Sequence, residues 1–387
     1  MNDLVSSEPY IVIAGDTCPY LGHTKSFDNM DENAIFGECA AIIKAADFAF
    51  CNLECPFTDS QTAISKPGPR LKNSPAYLEI IRNVGFTHFG LANNHIMDFG
   101  LSGIDDTLEQ IKQRGGIALG ASGEFNTDTP NYRSIIIDGK SIALITLADR
   151  EFNCSQTNGV EVGASIFDPC FSLAQIRDLK AQFDFVICIY HGGMEYFQFP
   201  SPELRKICRA IADFGADVVL CQHSHCIGCE EHFGEARIVY GQGNFLYGYR
   251  NECDVWNSGL LLKVSIVDEK IQLDYVVTEA HELGISIAPE YKARQIMSGF
   301  FQRSERLRNA PHAVNKDFEQ LLYARHSLIV SQAFGWPVWL IRLNRLAQNK
   351  IFDMLYGKNA LQRFLNYSQC ETHREAIQTI LRKKLNK

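Results

Sequence analysis

Short apolar runs rich in β-branched and aromatic residues, each ended by a polar residue able to bind a metal, constrain this chain more than any other feature. IVIAG ends at Asp16, FAFC at Asn52 and Glu54, FGLA at Asn93, Asn94 and His95, VICIY at His191, and VVLCQ at His223 and His225. Longer segments of helical period lie between them, the alternation of a layered α/β domain. Strands are expected over 10–14, 48–53, 88–92, 134–137, 141–147, 185–190, 218–221, 237–240, 259–267 and 271–277, and helices over 34–46, 75–84, 102–114, 173–181 and 202–214. Before about residue 130 strands feed helices; from Ser134 several strands follow one another directly, so antiparallel hairpins join the sheet. The expectation is an α/β fold of two stacked mixed sheets with helices outside, over 1–281. Residues 282–387 read as a helical extension, broken at Gly335-Trp336-Pro337 and at Gly357.

In an α/β sheet the carboxyl ends of the strands form one rim, so residues far apart in sequence converge there. Each polar cluster has an ordinary structural account when taken singly. An Asp after a strand caps a turn, Asn-Asn-His bonds its own backbone, and a lone His is a satisfied structural residue. Five clusters on one rim make independent coincidence the poorer account.

Composition narrows the function. A chain of 387 residues, 46% apolar, can bury a large core. Its net charge of -8, with no basic stripe interleaved with aromatics in the first 330 residues, argues against nucleic acid as a partner. The sign is uneven: 338–387 carries ten Lys and Arg against three Asp and Glu, leaving -15 for the remainder. The thirteen cysteines are odd in number, and Cys51, Cys188 and Cys221 sit inside apolar runs, as buried free thiols do in a reducing compartment. The opening MNDLVSSEPYIVIAGD has no basic region followed by a long apolar run, so a cytoplasmic location without signal peptide or membrane span is expected.

The ordered set Gly15-Asp16, Asn52-Leu53-Glu54, Leu91-Ala92-Asn93-Asn94-His95 with Asp98 and Gly100, His191-Gly192-Gly193 with Glu195-Tyr196, His223-Ser224-His225 and Gly243-Asn244-Phe245 resembles that of the CapA family. These are bacterial capsule and poly-γ-glutamate synthesis proteins of the calcineurin-like metallophosphoesterase fold. The similarity covers roughly residues 10–250. It implies a four-layer α-β-β-α sandwich in which Asp16, Glu54, Asn94, His191, His223 and His225 hold one or two divalent ions, with Glu54 the bridge. Such a carboxylate, amide and imidazole shell suits Mn, Fe or Zn and lacks the thiolates of a structural zinc site. Two ions of this kind activate a water and neutralise phosphoryl oxygens.

His95 directly follows a proposed ligand, which suits a general acid near the leaving group. Asp98 either orients it or caps the helix expected from about Leu101. Arg70, in KPGPRLKNSP, lies where CapA proteins carry an Arg before a Pro; it either grips a phosphate or carboxylate or is a solvated loop residue. Glu195 and Asn244 are further candidates for supporting the substrate side of the site.

Departures from the broader fold family stand at the first metal position, where Cys18 replaces the usual His, with Cys18 or His23 as substitutes, and at Asn52-Leu53-Glu54, which replaces a Gly-Asp pair. Cys226-x-x-Cys229 with His223 or His232 offers a zinc knuckle, but a second CxxC pair is lacking. Gly241-Gln242-Gly243-Asn244 is too short for a dinucleotide fingerprint and reads as a site loop.

In the basic tail, Trp339, Leu340, Leu343, Leu346, Ile351, Met354 and Leu355 recur at near-helical spacing with Arg342, Arg345 and Lys350 elsewhere. Two accounts stand: a helix docked on protein, or peripheral contact with the inner membrane surface. The functional expectation is a metal-dependent phosphoesterase-type hydrolase or transferase acting on a phosphate- or carboxylate-bearing polymer precursor. A plain phosphoesterase is a second reading, and a non-catalytic subunit of a polymer synthase is the alternative of another class.

Overall fold

The computed structural model describes residues 8–19, 24–66, 68–151, 155–157 and 161–385; His23 lies outside these. Two compact units divide the chain, Met1–Val314 and Asn315–Lys387. The division falls later than residue 281 for a physical reason. The strand Gly284–Ile287 pairs with Lys270–His281 at a sheet edge, and helix Glu290–Asn309 buries Phe300 and Leu307 in the cores of the first unit.

Among the described residues an eight-stranded sheet has the order Gly284–Ile287, Lys270–His281, Ser258–Val267, Ile11–Thr17, Phe48–Leu53, His88–Gly90, Ile117–Leu119, with Asn244–Leu246 also paired to Ile11–Thr17. A six-stranded sheet has the order Ile227–Phe233, Ala236–Gln242, Val218–Gln222, Phe185–His191, Lys140–Ala148, Tyr132–Ile137. Strict alternation of buried side chains stacks these sheets. Val12, Ala14, Ala49 and Cys51 face the helices of the first sheet, while Ile11, Ile13, Phe48 and Phe50 face the second sheet. Ile142, Leu144, Ile187 and Ile189 meet them there; their neighbours Ala143, Ile145, Val186 and Cys188 face helices Pro169–Lys180 and Pro202–Asp213. Three apolar layers therefore separate four layers of secondary structure, the expected α-β-β-α sandwich.

Local chemistry explains where the elements depart from expectation. The helix expected over 34–46 is broken at Gly37, whose φ of 46° admits the close approach of Ile285 O. The strand Ile227–Phe233 reads as IGCEEHF, too polar to be seen by alternation. Its Glu231 is paired with Arg205, Arg209 and Tyr240, and its Glu230 with Arg237 and Tyr275.

In the second unit Trp336, Ile341 and Phe352 form a small core of their own, with Phe334 and Tyr356 packed on it. Trp339, Leu346 and Met354 are 63%, 82% and 78% exposed, so these apolar side chains are left uncovered. Among the described residues, no helix is long and apolar enough to cross a membrane.

Candidate metal centre

The carboxyl ends of the parallel strands share one rim, and Asp16, Glu54, His191, His223 and His225 meet on it, all buried. Asp16 reaches the rim through a bulge. Ala14 pairs with Cys51 but Asp16 with Asn52, so Gly15 is the extra residue, and the break in alternation re-aims the carboxylate. A Cβ on Gly15 would stand 2.4 Å from Gly243 O, which is why this position takes glycine. The His223-Ser224-His225 loop is bound to the same carboxylate, since His223 N donates to Asp16 Oδ2 at 3.0 Å. Both histidines hold left-handed backbone conformations, φ 88° and 52°, an uncommon state for non-glycine residues that persists where surrounding contacts enforce it.

Two sets of ligand atoms lie within 4.8 Å of one another: Asp16, Glu54 and His225, and Glu54, His191 and His223. Glu54 belongs to both. Asn94 joins the second set, its Oδ1 3.1 Å from His191 Nε2. Amides brace the ensemble: Asn52 donates to Asp16 Oδ1 (2.9 Å), and Asn93 donates to Asn52 Oδ1 (3.1 Å) and Leu53 O (2.8 Å). His225 Nδ1 pairs with Asn244 Oδ1 at 2.9 Å, which leaves Nε2 toward Glu54 Oε1, 3.7 Å away.

Electrostatics show what this arrangement lacks. Burial pushes the Glu54 carboxyl well above the usual carboxylate range, and the Asp16 carboxylate beside it acts in the same direction. Burial raises Asp16 too, against donors from Asn52 and His223. It lowers His191 well below the usual imidazole range and His225 to about 3, so both rings are neutral at physiological pH. Among the described residues no amide, hydroxyl or backbone N–H reaches either Glu54 oxygen, and His223 Nδ1 is buried without a partner. Two buried carboxylates, one of them with both oxygens orphaned, beside the neutral imidazoles of His191 and His225, fit a divalent cation in each set. The donors are oxygen and nitrogen, suited to Mn, Fe or Zn.

Beside the centre, a pocket of about 330 Å³ is lined by His95, Glu195, Tyr196, His225, Arg250 and Trp256, among others. His95 Nδ1 is 2.7 Å from Asp98 Oδ2, so Nε2 is the ring atom left for the pocket. Asp98 caps no helix by its side chain: helix Gly100–Gln113 begins after Phe99. It instead takes Lys66 Nζ on Oδ1 (2.5 Å) and Leu71 N on Oδ2 (2.7 Å).

Other candidates fall elsewhere. Arg70 is exposed and spends its guanidinium on Ile64 O and Lys66 O, bracing the loop that carries Lys66 rather than reaching the buried cluster. Asn244 holds His225 and the Trp256 carbonyl, so its amide positions a ligand and is not turned to substrate. The Cys18 thiol packs on Cys55 and Asn73, and burial pushes it far up, so no thiolate replaces the missing His. Among the described residues neither metal-competent set contains a cysteine, and His232 is paired with Glu230, so no zinc knuckle gathers at Cys226 and Cys229.

Strand-end position marked Asn52 and Asn93, though not as braces of the ligands, and the sequence pattern did not mark Lys66, Arg250 or Trp256 as parts of the site.

A four-layer sandwich with a buried carboxylate and imidazole centre on its strand-end rim defines a metal-competent α/β protein. The chain belongs to the bacterial capsule synthesis protein family PGA_cap, which matches residues 10–249. It is similar to the PGA biosynthesis protein CapA of Bacillus subtilis (strain 168), with 26% identity over 216 residues, 56% of this chain and 57% of that protein. It is also similar to the capsule biosynthesis protein CapA of Bacillus anthracis, with 26% identity over 220 residues, 55% of this chain and 53% of that one. The chain thus spans a little over half the length of these curated relatives. Among solved structures, a phosphatase from Mycoplasma pneumoniae is similar at 11% identity and a TM-score of 0.44, covering 74% of this chain and 97% of that one.

Proposed function

We propose that this chain is a metal-dependent hydrolase or transferase of the phosphoesterase type, acting on a phosphate- or carboxylate-bearing precursor during synthesis of a capsule or other cell-surface polymer. The observation that carries the proposal is Glu54, a fully buried carboxylate that no amide, hydroxyl or backbone N–H among the described residues reaches, set beside the Asp16 carboxyl and shared by two sets of ligand atoms. Asp16, Glu54 and His225 would hold one ion, and Glu54, Asn94, His191 and His223 the other. Such ions supply an activated water and charge neutralisation at a phosphoryl or acyl oxygen. The polymer context comes from the relatives, both described as acting in PGA or capsule biosynthesis.

The chain's own residues do the rest. His95, held through Nδ1 by Asp98, presents Nε2 to the pocket as the proton donor to a leaving group. Lys66 neutralises Asp98 and keeps that carboxylate in place. Glu195 and Arg250 on the pocket wall offer one charge of each sign to a precursor. The basic second unit, with Trp339, Leu343 and Leu346 exposed beside Arg342 and Arg345, suits peripheral contact with an anionic bilayer.

Metal content of the purified protein and of His225→Ala, measured by inductively coupled plasma mass spectrometry beside hydrolysis of a generic phosphoester, tests the reading. Stoichiometric Mn, Fe or Zn that is lost in the variant, with activity falling in parallel, is expected. A protein that takes up no Mn or Zn and gains no activity from them would turn the assignment to a non-catalytic partner of a polymer synthase.

A further inference from the structure

Glu151 lies three residues beyond the strand Lys140–Ala148, whose Ala148 is in register with His191, and Asp149 N donates to His191 O at 2.8 Å. The segment is therefore delivered to the rim of the metal centre, and the Glu151 carboxylate meets two proposed ligands from outside. Its Oε2 accepts from Asn94 Nδ2 at 3.0 Å, and its Oε1 is 3.3 Å from His223 Nε2.

The Asn94 contact is a hydrogen bond and the His223 contact an ion-pair approach, and each favours one orientation. An Asn94 amide that gives its NH2 to Glu151 must turn Oδ1 the other way, where it lies 3.1 Å from His191 Nε2. An imidazole whose Nε2–H faces a carboxylate keeps its lone pair on Nδ1, and His223 Nδ1 is the buried ring nitrogen without a partner. Asn244 serves the other set in the same way, accepting from His225 Nδ1.

We propose that Glu151 is a positioning residue for the ion held by Glu54, Asn94, His191 and His223, setting at once the amide direction of Asn94 and the tautomer of His223. The proposal rests on the metal reading above. A carboxylate behind a ligating His also raises the basicity of the ring, and loss of such partners typically costs about 10- to 100-fold in metal affinity.

Glu151→Gln is the discriminating change. It keeps the size of the side chain, but its amide NH2 would confront either Asn94 Nδ2 or His223 Nε2–H, donor against donor. The experiment is calorimetric titration of the metal-free, full-length protein with Mn2+ and, in parallel, Zn2+, for wild type, Glu151→Gln and Asn244→Ala. Metal-free melting temperatures are recorded for all three.

The expected result is that Glu151→Gln weakens uptake of one ion by about 10- to 100-fold at an unchanged metal-free melting temperature. Asn244→Ala should spare that event and weaken the other. A Glu151→Gln titration superimposable on wild type overturns the proposal, as does equal weakening of every event together with a lowered metal-free melting temperature. A wild type that takes up neither metal sinks the metal reading itself, an outcome distinct from both.

Discussion

Asp98 serves three donors with two oxygens, His95 Nδ1, Lys66 Nζ and Leu71 N, at 2.7, 2.5 and 2.7 Å. Its charge therefore holds the tautomer of His95 and the approach of the 64–71 loop together. Asp98→Asn would set an amide NH2 against His95 Nδ1–H and remove the anion that compensates a second proton on Nε2, the one His95 gives to the leaving group. Turnover of a phosphoester substrate is expected to fall by about 10²- to 10⁴-fold, the span of general acid catalysis. Metal content should be unchanged and KM little moved, which steady-state kinetics beside metal analysis would check. The pairing of His95 with Asp98 was legible, because they stand three positions apart on one turn after a strand. Lys66 was not, since it reaches Asp98 from a loop 32 residues away, and the more conspicuous Arg70 only braces that loop.

Among elements, the polar strand Ile227–Phe233 and helix Pro202–Asp213 are joined by Glu231, which is bound by Arg205, Arg209 and Tyr240. Burial pushes its carboxyl up, but these donors outweigh burial and hold it at about 2. A folded value below the ordinary ~4.3 of the unfolded chain means that the stabilisation is fully present above the unfolded value. It is lost as pH falls through the folded one. Thermal melts of wild type and Glu231→Gln from pH 7 down to about 2 should therefore converge, the wild type falling faster below about pH 4.3; parallel curves would contradict this.

The second unit makes a different prediction, because helix Val338–Leu346 buries Ile341 and Asn344 while Trp339 and Leu346 are exposed. Wild type should sediment with vesicles containing phosphatidylglycerol at low salt and not with neutral ones. A Trp339→Glu, Leu346→Glu double variant should lose the binding, and salt should weaken it in wild type.

At the scale of the whole molecule, two stacked sheets bring their strand ends to one rim and bury Asp16 and Glu54 against each other at 0% exposure. Removing a metal from this rim leaves carboxyl groups whose ionisation burial opposes, so chelation should lower the melting temperature of wild type. Mn2+ at about 100 times its Kd should restore about 2.7 kcal/mol. Calorimetric scans with chelator and with Mn2+ measure it, and a melting temperature indifferent to both would contradict the centre.

The sequence by itself determined the apolar strands that end at the proposed ligands, their alternation, the stacking of two sheets and the rim on which those ligands gather. Period-two burial and the carboxyl ends of parallel strands are local properties, repeated at each apolar run, and they place a residue such as Glu54 or His191 whatever the loops do. Only the tertiary structure decided which loop side chains serve those ligands. Glu151 meets Asn94 across 57 residues, Cys18 turns to Cys55 instead of the centre, and Asn244 supports His225 instead of substrate. Such a side chain takes its direction from partners fixed by the packing of other elements, and no local periodicity encodes that.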